Sequence, residues 1–488
     1  MKIKTTLSVI AIAFAIIINN ATAQIPFMVK DIFPSFNSSN PQYLTNVNGT
    51  VYFWADDGTN QEELWKSDGT ALGTIMLTNF NSGSSYPQFL TNVNGTLFFL
   101  ATNGSNGYEL WKTDGTTAGT VMVKDICPGS CSSTPWYLTD VNGTLYFEAE
   151  DQTYGDELWK SDGTTAGTAM VMDIYPGYSS SYPNDLTNVN GTLYFSAFPN
   201  NLWKSDGTAA GTMLVQTFNG GIGYLVNVNG TLYFSAYDNV NGNELWSSNG
   251  TVASTVLVKD IVPGVNGSYP SDLANVNGTL YFAADNGTNG RELYKSDGTI
   301  AGTVMVKDIN PGSNKSINQS FGYLTDCNGI LYFQADDGTN GEELWKSNGT
   351  TSGTTMVMDI NSGSSNSNPQ YLACSNGVLY FSAGDGFNGV ELWALSVNSG
   401  IENYNNNNFD ISAFPNPTTG KFKINTEELQ ITNPEIKIYN VLGETVYHSV
   451  TKYLGDKTID LSDKPNGIYF LNVKTEIKSF SQKIVVQK

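Results

Sequence analysis

One segment recurs eight times along this chain, and that recurrence constrains the fold more than any other feature. The segment is close to Glu-Leu-Trp-Lys-Ser-Asp-Gly-Thr, with its aromatic at Trp65, Trp111, Trp159, Trp203, Trp246, Tyr294, Trp345 and Trp393, spaced by 43 to 51 residues. Upstream of each copy, Asn-Gly separates two apolar runs, at Asn48, Asn94, Asn142, Asn190, Asn229, Asn277, Asn328 and Asn376. Both residues tolerate positive φ, so this dipeptide predicts a tight hairpin. Several copies continue to Thr and spell a glycosylation sequon, but the turn alone explains them. A strand of Met-Val-Lys-Asp-Ile type completes each unit, first at Met28–Ile32 and last at Met356–Ile360. One copy reads as four strands: Val304–Ile309, Tyr323–Cys327, Ile330–Ala335 and Glu343–Ser347. Four strands per 40–50 residues are the signature of a propeller blade. The expectation over residues 24–396 is an all-β, eight-bladed β-propeller. Its frame stays open: units can be cut whole, or the N-terminal strand can complete the last blade.

Composition agrees. The chain has 49 Gly, 26 Tyr, 24 Phe and 9 Trp with only 14% charged residues, as a turn-rich aromatic β protein should. Charge is uneven: residues 25–411 hold 12 basic against 37 acidic groups, whereas residues 412–488 hold ten Lys against eight acids. Two domains are expected, joined by an Asn-rich linker over 397–411. The acidic surface repels phosphate backbones and argues against nucleic acid as a partner. The one histidine, His448, lies in the C-terminal part, so the repeats lack the usual general base and transition-metal ligand.

Residues 1–23 read as a signal peptide. Lys2 and Lys4 precede an apolar run from Leu7 to Ile18, and Ala21-Thr22-Ala23 precedes Gln24, placing cleavage between Ala23 and Gln24. The apolar run is too short for a comfortable membrane span, and no second segment approaches spanning length. Cys127 and Cys131 flank a short loop, and Cys327 and Cys374 lie in successive repeats. Four cysteines suit an exported chain, and three pairings are open.

A position filled alike in all units serves the blade, because a site is usually unique. Glu63, Glu109, Glu157, Glu244, Glu292, Glu343 and Glu391 precede Leu in seven units; they are expected to accept backbone donors or pair with the Lys after Trp. Asp68, Asp114, Asp162, Asp206 and Asp297 precede Gly-Thr and read as turn formers. A second acidic row lies after the third strand: Asp57, Asp151, Asp238, Asp337 and Asp385, with Asn103 and Asn286 in its place in two units. Oxygen ligands at a Gly-rich turn suit weak Ca²⁺ binding, but none of these loops carries a full ligand set, and Asx turns explain the pattern. No other cofactor is expected.

Strand alternation sorts the loops onto two faces. The Asn-Gly and Asp-Gly-Thr turns share one and barely vary. The Pro-Gly-Ser loops and the loops after the third strand share the other, and these vary, as binding loops do on a rigid scaffold. Three departures mark that face: the short Phe198–Asn201, the compact Asn219–Gly223 and the longer Ser313–Gly322 with Lys315. Trp136 and Tyr178 add aromatics for stacking on sugar rings. Trp136, Tyr178 and Lys315 are therefore the candidate ligand-binding residues.

The Glu-Leu-Trp-x-x-Asp-Gly-Thr-x-x-Gly-Thr pattern resembles the ELWxxDGT repeat proteins of secreted bacterial chains. Ala335, Asp337, Gly341, Glu343 and Trp345 also resemble the tryptophan-docking repeat of eight-bladed quinoprotein dehydrogenases, from which Asn340 and Glu342 depart. That resemblance implies that each Trp wedges against a neighbouring blade. It does not extend to the quinone, since the adjacent cysteine pair typical of those enzymes is missing. Residues 412–488 read as a small β-sandwich and resemble the type A sorting domain of the type IX secretion system of Bacteroidota. The resemblance rests on Phe414-Pro415-Asn416-Pro417-Thr418 with Gly420, Ile438-Tyr439-Asn440-Val441-Leu442-Gly443-Glu444, Asn466-Gly467-Ile468-Tyr469-Phe470 and the ending Lys483–Lys488. It implies the secretion machinery as a partner, and release or surface attachment outside the cell. Three function classes follow: a binding module for a glycan or matrix protein, a structural surface-layer component, and a polysaccharide-degrading enzyme. The lack of His and of a unique carboxylate pair argues against the last.

Overall fold

A computed structural model describes residues 25–79, 83–318, 323–397, 411–415, 418–426, 434–440, 445–451, 457–474 and 479–488. The expected leader and its cleavage site at Ala23 and Gln24, and residues 398–410 of the expected linker, lie outside the described residues. The chain divides into two compact units after Val397. In the first, the strands among the described residues form eight four-stranded antiparallel sheets, a propeller-like all-β arrangement.

Strand order resolves the frame. The first described strand, β1 (Phe27–Lys30), pairs with Val390–Ser396, with Phe27 opposite Ala394 and Met28 opposite Trp393. The chain thus begins by completing the sheet of its last repeat. The first sheet is then β2 (Gln42–Val47), β3 (Thr50–Asp56), β4 (Glu62–Ser67) and β5 (Ile75–Met76), in that order. The Met-Val-Lys-Asp-Ile strand is the fourth of its sheet because the Asp-Gly-Thr turn before it is a hairpin internal to the sheet. Asp68 Oδ1 accepts the Thr70 N–H at 2.9 Å, Thr74 Oγ1 donates to the Thr70 carbonyl at 2.7 Å, and Ser67 and Thr74 hydroxyls meet at 2.8 Å. The Asn-Gly turns behave as expected: all eight Asn residues have φ between +50° and +56°, the left-handed geometry a two-residue hairpin demands.

The first strands of successive sheets touch in order, and Gln370–Ser375 of the eighth touches β2 of the first. Side chains latch them. Thr45 donates to the Leu90 carbonyl at 2.9 Å and Thr91 to that of Leu138 at 3.1 Å; Asn46 Nδ2 reaches the Cys374 carbonyl at 3.3 Å across the eighth and first sheets. Two disulfides form, Cys127–Cys131 within one connection and Cys327–Cys374 between the first strands of the seventh and eighth sheets.

The apolar clusters lie between sheets. Trp111 of the second sheet packs with Val47, Tyr52 and Leu64 of the first, and Trp65 packs with Tyr380 and Leu392 of the eighth. A buried Trp removes roughly 150–250 Å² from water, worth up to about 4–6 kcal/mol. Tyr294 takes the same place in the sixth sheet and is equally buried. Lys30 sits 5.5 Å from the Trp65 ring centre and donates to the Thr74 carbonyl at 2.8 Å, joining the eighth sheet to the first.

The second unit contains a three-stranded sheet (Ile411–Phe414, Lys421–Thr426, Lys457–Asp460) and a four-stranded one (Thr445–Val450, Glu435–Asn440, Gly467–Lys474, Ser479–Val486). Phe422, Ile424 and Ile459 of the first sheet and Ile436, Leu471 and Ile484 of the second share one buried cluster.

Candidate functional site

The recurring glutamates are architectural. Glu391 accepts the N–H groups of Ile32 at 2.9 Å and Ser39 at 3.1 Å, and the Ser39 hydroxyl at 2.6 Å. Glu109 does the same for Ile126 at 2.9 Å, Ser133 at 3.1 Å and the Ser133 hydroxyl at 2.6 Å. Each carboxylate staples the connection that leaves its own sheet. Burial raises Glu109 to about 6 and Glu292 and Glu391 to about 7, opposed by these hydrogen bonds. The expected alternative partner is elsewhere. Lys66, Lys112 and Lys160 donate at 2.8 Å to the carbonyls of Gly115, Gly163 and Gly207, in the turn of the next sheet. Among the described residues ion pairs occur only in the second unit.

The second acidic row is spent on turns. Asp57 Oδ1 accepts the N–H groups of Thr59 at 2.9 Å and Asn60 at 2.7 Å, and Oδ2 takes the Asn60 amide at 2.7 Å. Asp238, Asp337 and Asp385 repeat this with Asn241, Asn340 and Asn388, while Asp151 receives the N–H groups of Thr153 and Tyr154. These bonds hold Asp57, Asp238, Asp337 and Asp385 below the usual carboxylate range against the opposing effect of burial. Among the described residues no group of three His, Cys, Asp or Glu side chains is placed to hold a metal ion.

One departure opens a pocket. In the first, seventh and eighth sheets, the loop between the second and third strands of the sheet covers the connection arriving from the sheet before. A Cβ on Gly58 would strike the Phe33 ring, and one on Gly338 or Gly386 would press on Asn310 or Asn361. Tyr175 is the counterpart of Phe33, but the fourth sheet's loop runs only from Phe198 to Asn200, between strands Thr192–Ala197 and Asn201–Ser205. Too short to cover Tyr175, it offers Phe198 edge-on at 5.7 Å. The space left is a pocket of about 590 Å³ lined by Tyr175, Tyr178, Tyr182, Phe198, Glu150 and Asp156, among others. Ser180 holds Asp156 in place, its hydroxyl donating to the carboxylate at 2.9 Å and receiving the Asp156 N–H at 3.0 Å. Burial, with Asp156 close by, raises Glu150; it raises the neighbouring buried Glu148 to about 8. The aromatic faces can stack on a ring while the two carboxylates accept hydrogen bonds from its hydroxyls.

Of the three residues singled out in sequence, Tyr178 lines this pocket. Trp136 is exposed on its strand, 6.0 Å from Phe89. Lys315 lies exposed in another connection, where its charge acts on Glu342. The structure does not gather the three into one site. Tyr175 and Tyr182 were not singled out, although three tyrosines within eight residues of a loop beside the short Phe198–Asn201 were a usable signal.

Residues 412–487 match the family described as the secretion system C-terminal sorting domain. The protein is therefore extracellular, secreted or attached to the outer membrane by way of type IX export. No helix among the described residues is long and apolar enough to cross a membrane. No curated protein matches the chain. Among solved structures, one similar to it is PorZ, described as an essential bacterial surface component of the type-IX secretion system of Porphyromonas gingivalis. The TM-score is 0.43 at 12% identity, over 90% of this chain and 64% of PorZ. A puromycin hydrolase gives 0.44 at 13%, over 72% of this chain and 60% of its own. Sqt1 of Saccharomyces cerevisiae gives 0.43 at 9%, over 78% of this chain and 100% of its own. The chain thus spans less than two thirds of the first two, and at TM-scores below 0.5 these likenesses say nothing of function.

Proposed function

We propose that the eight sheets are the blades of an eight-bladed propeller, exported under its leader and carried by a C-terminal β-sandwich that addresses it to type IX secretion. We propose further that the propeller binds an extracellular glycan or matrix protein through its loop face. The observation that carries this reading is the aromatic pocket around Tyr178, which exists where the repeat is broken and nowhere repeats itself in sequence. The enzyme reading gains less. Glu150 and Asp156 are cross-strand partners, but Asp56–Glu62 and Asp336–Glu342 hold the same register in the first and seventh sheets, so the pair is not unique.

The test is binding of the mature chain to a glycan and matrix-protein array, with Tyr178→Ala and Phe198→Ala as variants. Selective binding that falls about tenfold in either variant is expected, the worth of one aromatic contact of about 1.4 kcal/mol. No binding, together with self-association of the purified chain, would move the function to a structural surface-layer component.

A further inference from the structure

A second set of residues on the same loop face stands apart from the pocket. One residue in or just before the start of every first strand stands at the loop-face end of the axis: Tyr43, Phe89, Tyr137, Asp185, Tyr224, Asp272, Tyr323 and Tyr371. All eight are left-handed, with φ between +44° and +57°. Bulky aromatics rarely adopt that conformation, and in seven of the eight sheets it coincides with a break in strand register at the residue. A bulge of this kind re-aims a side chain. Its result is an unbroken arc of rings around the axis. Tyr323 meets Tyr371 at 5.2 Å, Tyr371 meets Tyr43 at 5.5 Å, Tyr43 meets Phe89 at 5.5 Å, and Phe89 meets Tyr137 at 6.4 Å, each pair tilted by 40° to 50°.

Two positions depart from the aromatic rule, and they differ. Asp272 takes the Ser271 hydroxyl at 2.6 Å and faces the chain's one arginine, Arg291, which is buried and donates to the Tyr269 carbonyl at 2.7 Å. Asp185 stands next along the ring from Tyr137, whose phenol it influences electrostatically, and accepts the Tyr224 N–H. No lysine or arginine among the described residues makes an ion pair with it.

We propose that the arc and Asp185 bind an alkylammonium group, the ligand class being a lysine side chain of an extracellular polypeptide. Tilted rings that surround an axis present several π faces to a compact cation, whereas a sugar stacks on one flat face. The carboxylate supplies the counter-charge, and a repeat region with 12 basic against 35 acidic groups over residues 25–396 draws cations toward it.

The test titrates the full mature chain with Nα-acetyl-lysine methylamide and its trimethyl-lysine counterpart, using the norleucine compound as the neutral isostere. Both cations are expected to bind and norleucine to fail. Asp185→Asn, which keeps an acceptor and tolerates left-handed φ, should weaken binding about tenfold. Phe89→Leu should also weaken it, while Tyr178→Ala should leave it unchanged. Norleucine binding as tightly as lysine overturns the proposal. So does lysine binding that survives both Asp185→Asn and Phe89→Leu, or an uncharged oligosaccharide that binds the parent chain and is lost in Phe89→Leu while lysine never binds. Should Asp185→Asn fold poorly, the isostere comparison on the parent chain still decides. A negative glycan array leaves this test intact, so the two readings fail separately.

Discussion

The connections leaving seven of the sheets and the one leaving the fourth solve one problem by different physics. Each must bury a backbone turn against the sheet it leaves. In seven sheets a glutamate stands before Leu at the start of the third strand, as Glu391 does, and its buried carboxylate takes the turn's donors. In the fourth, Asn201 stands where the glutamate would be, and the connection is plugged by Phe218, which meets Trp246 at 5.2 Å and Phe234 at 5.7 Å, both edge-on. A polar staple needs a long loop that wraps the carboxylate. An apolar plug does not, and the fourth sheet, short in this connection and in its loop, is also where the pocket opens. In these connections what repeats is architecture, and where the repeat breaks a pocket opens.

The comparison can be broken at the plug first. Phe218→Ala should cost about 3–5 kcal/mol by denaturation, as a large core aromatic does; a loss below 1 kcal/mol would mean that the plug carries nothing. At the staple, Glu391→Ala leaves buried Ile32 and Ser39 donors unpaired and should cost about 3 kcal/mol. Asn201→Ala, at the same register but without those donors, should cost under about 1 kcal/mol. Equal losses at Glu391 and Asn201 would erase the distinction drawn here.

Acidity sharpens it. The stapling glutamates are raised above their unfolded value by burial, so they are neutral more readily in the folded chain. Their contribution is fully present below about 4.5 and is lost as pH rises through about 6 for Glu109 and about 7 for Glu292 and Glu391. The turn aspartates act oppositely: Asp57, Asp238, Asp337 and Asp385 are lowered from 3.8, so their contribution is lost as pH falls below that range. The melting temperature should peak near pH 4–5 and fall toward pH 8, by on the order of a few kcal/mol of stability. A melt that rises steadily from pH 5 to pH 8 would contradict the burial argument. The smallest effect concerns calcium. With the row from Asp57 to Asp385 committed to Asx turns, millimolar Ca²⁺ against EDTA should shift the melt by less than about 1 °C, and a rise of several degrees would restore a metal role to these loops.

Much of the architecture was legible from the residues. Asn-Gly predicted the hairpin between the first and second strands of each sheet, because left-handed φ is a local preference of those two residues. The wedging of Trp between sheets followed from a resemblance and holds at Trp65 and Trp111. The frame was not legible, because β1 reads the same whether it opens one sheet or closes another. Nor was the partner of each glutamate, since Ile32 and Glu391 lie at opposite ends of the repeat region.

The sequence by itself determined strand content, turn chemistry, repeat length and the sorting domain, all set by residues near one another in the chain. Only the tertiary structure decided which sheet β1 completes, which loops share a pocket, and that the rings from Tyr323 through Tyr371, Tyr43 and Phe89 to Tyr137, each one unit apart, meet in an arc. The physical reason is separation. Tyr43 touches Tyr371, and Phe198 touches Tyr175, because whole sheets pack side by side; no local preference encodes contacts whose geometry exists only once the sheets have met.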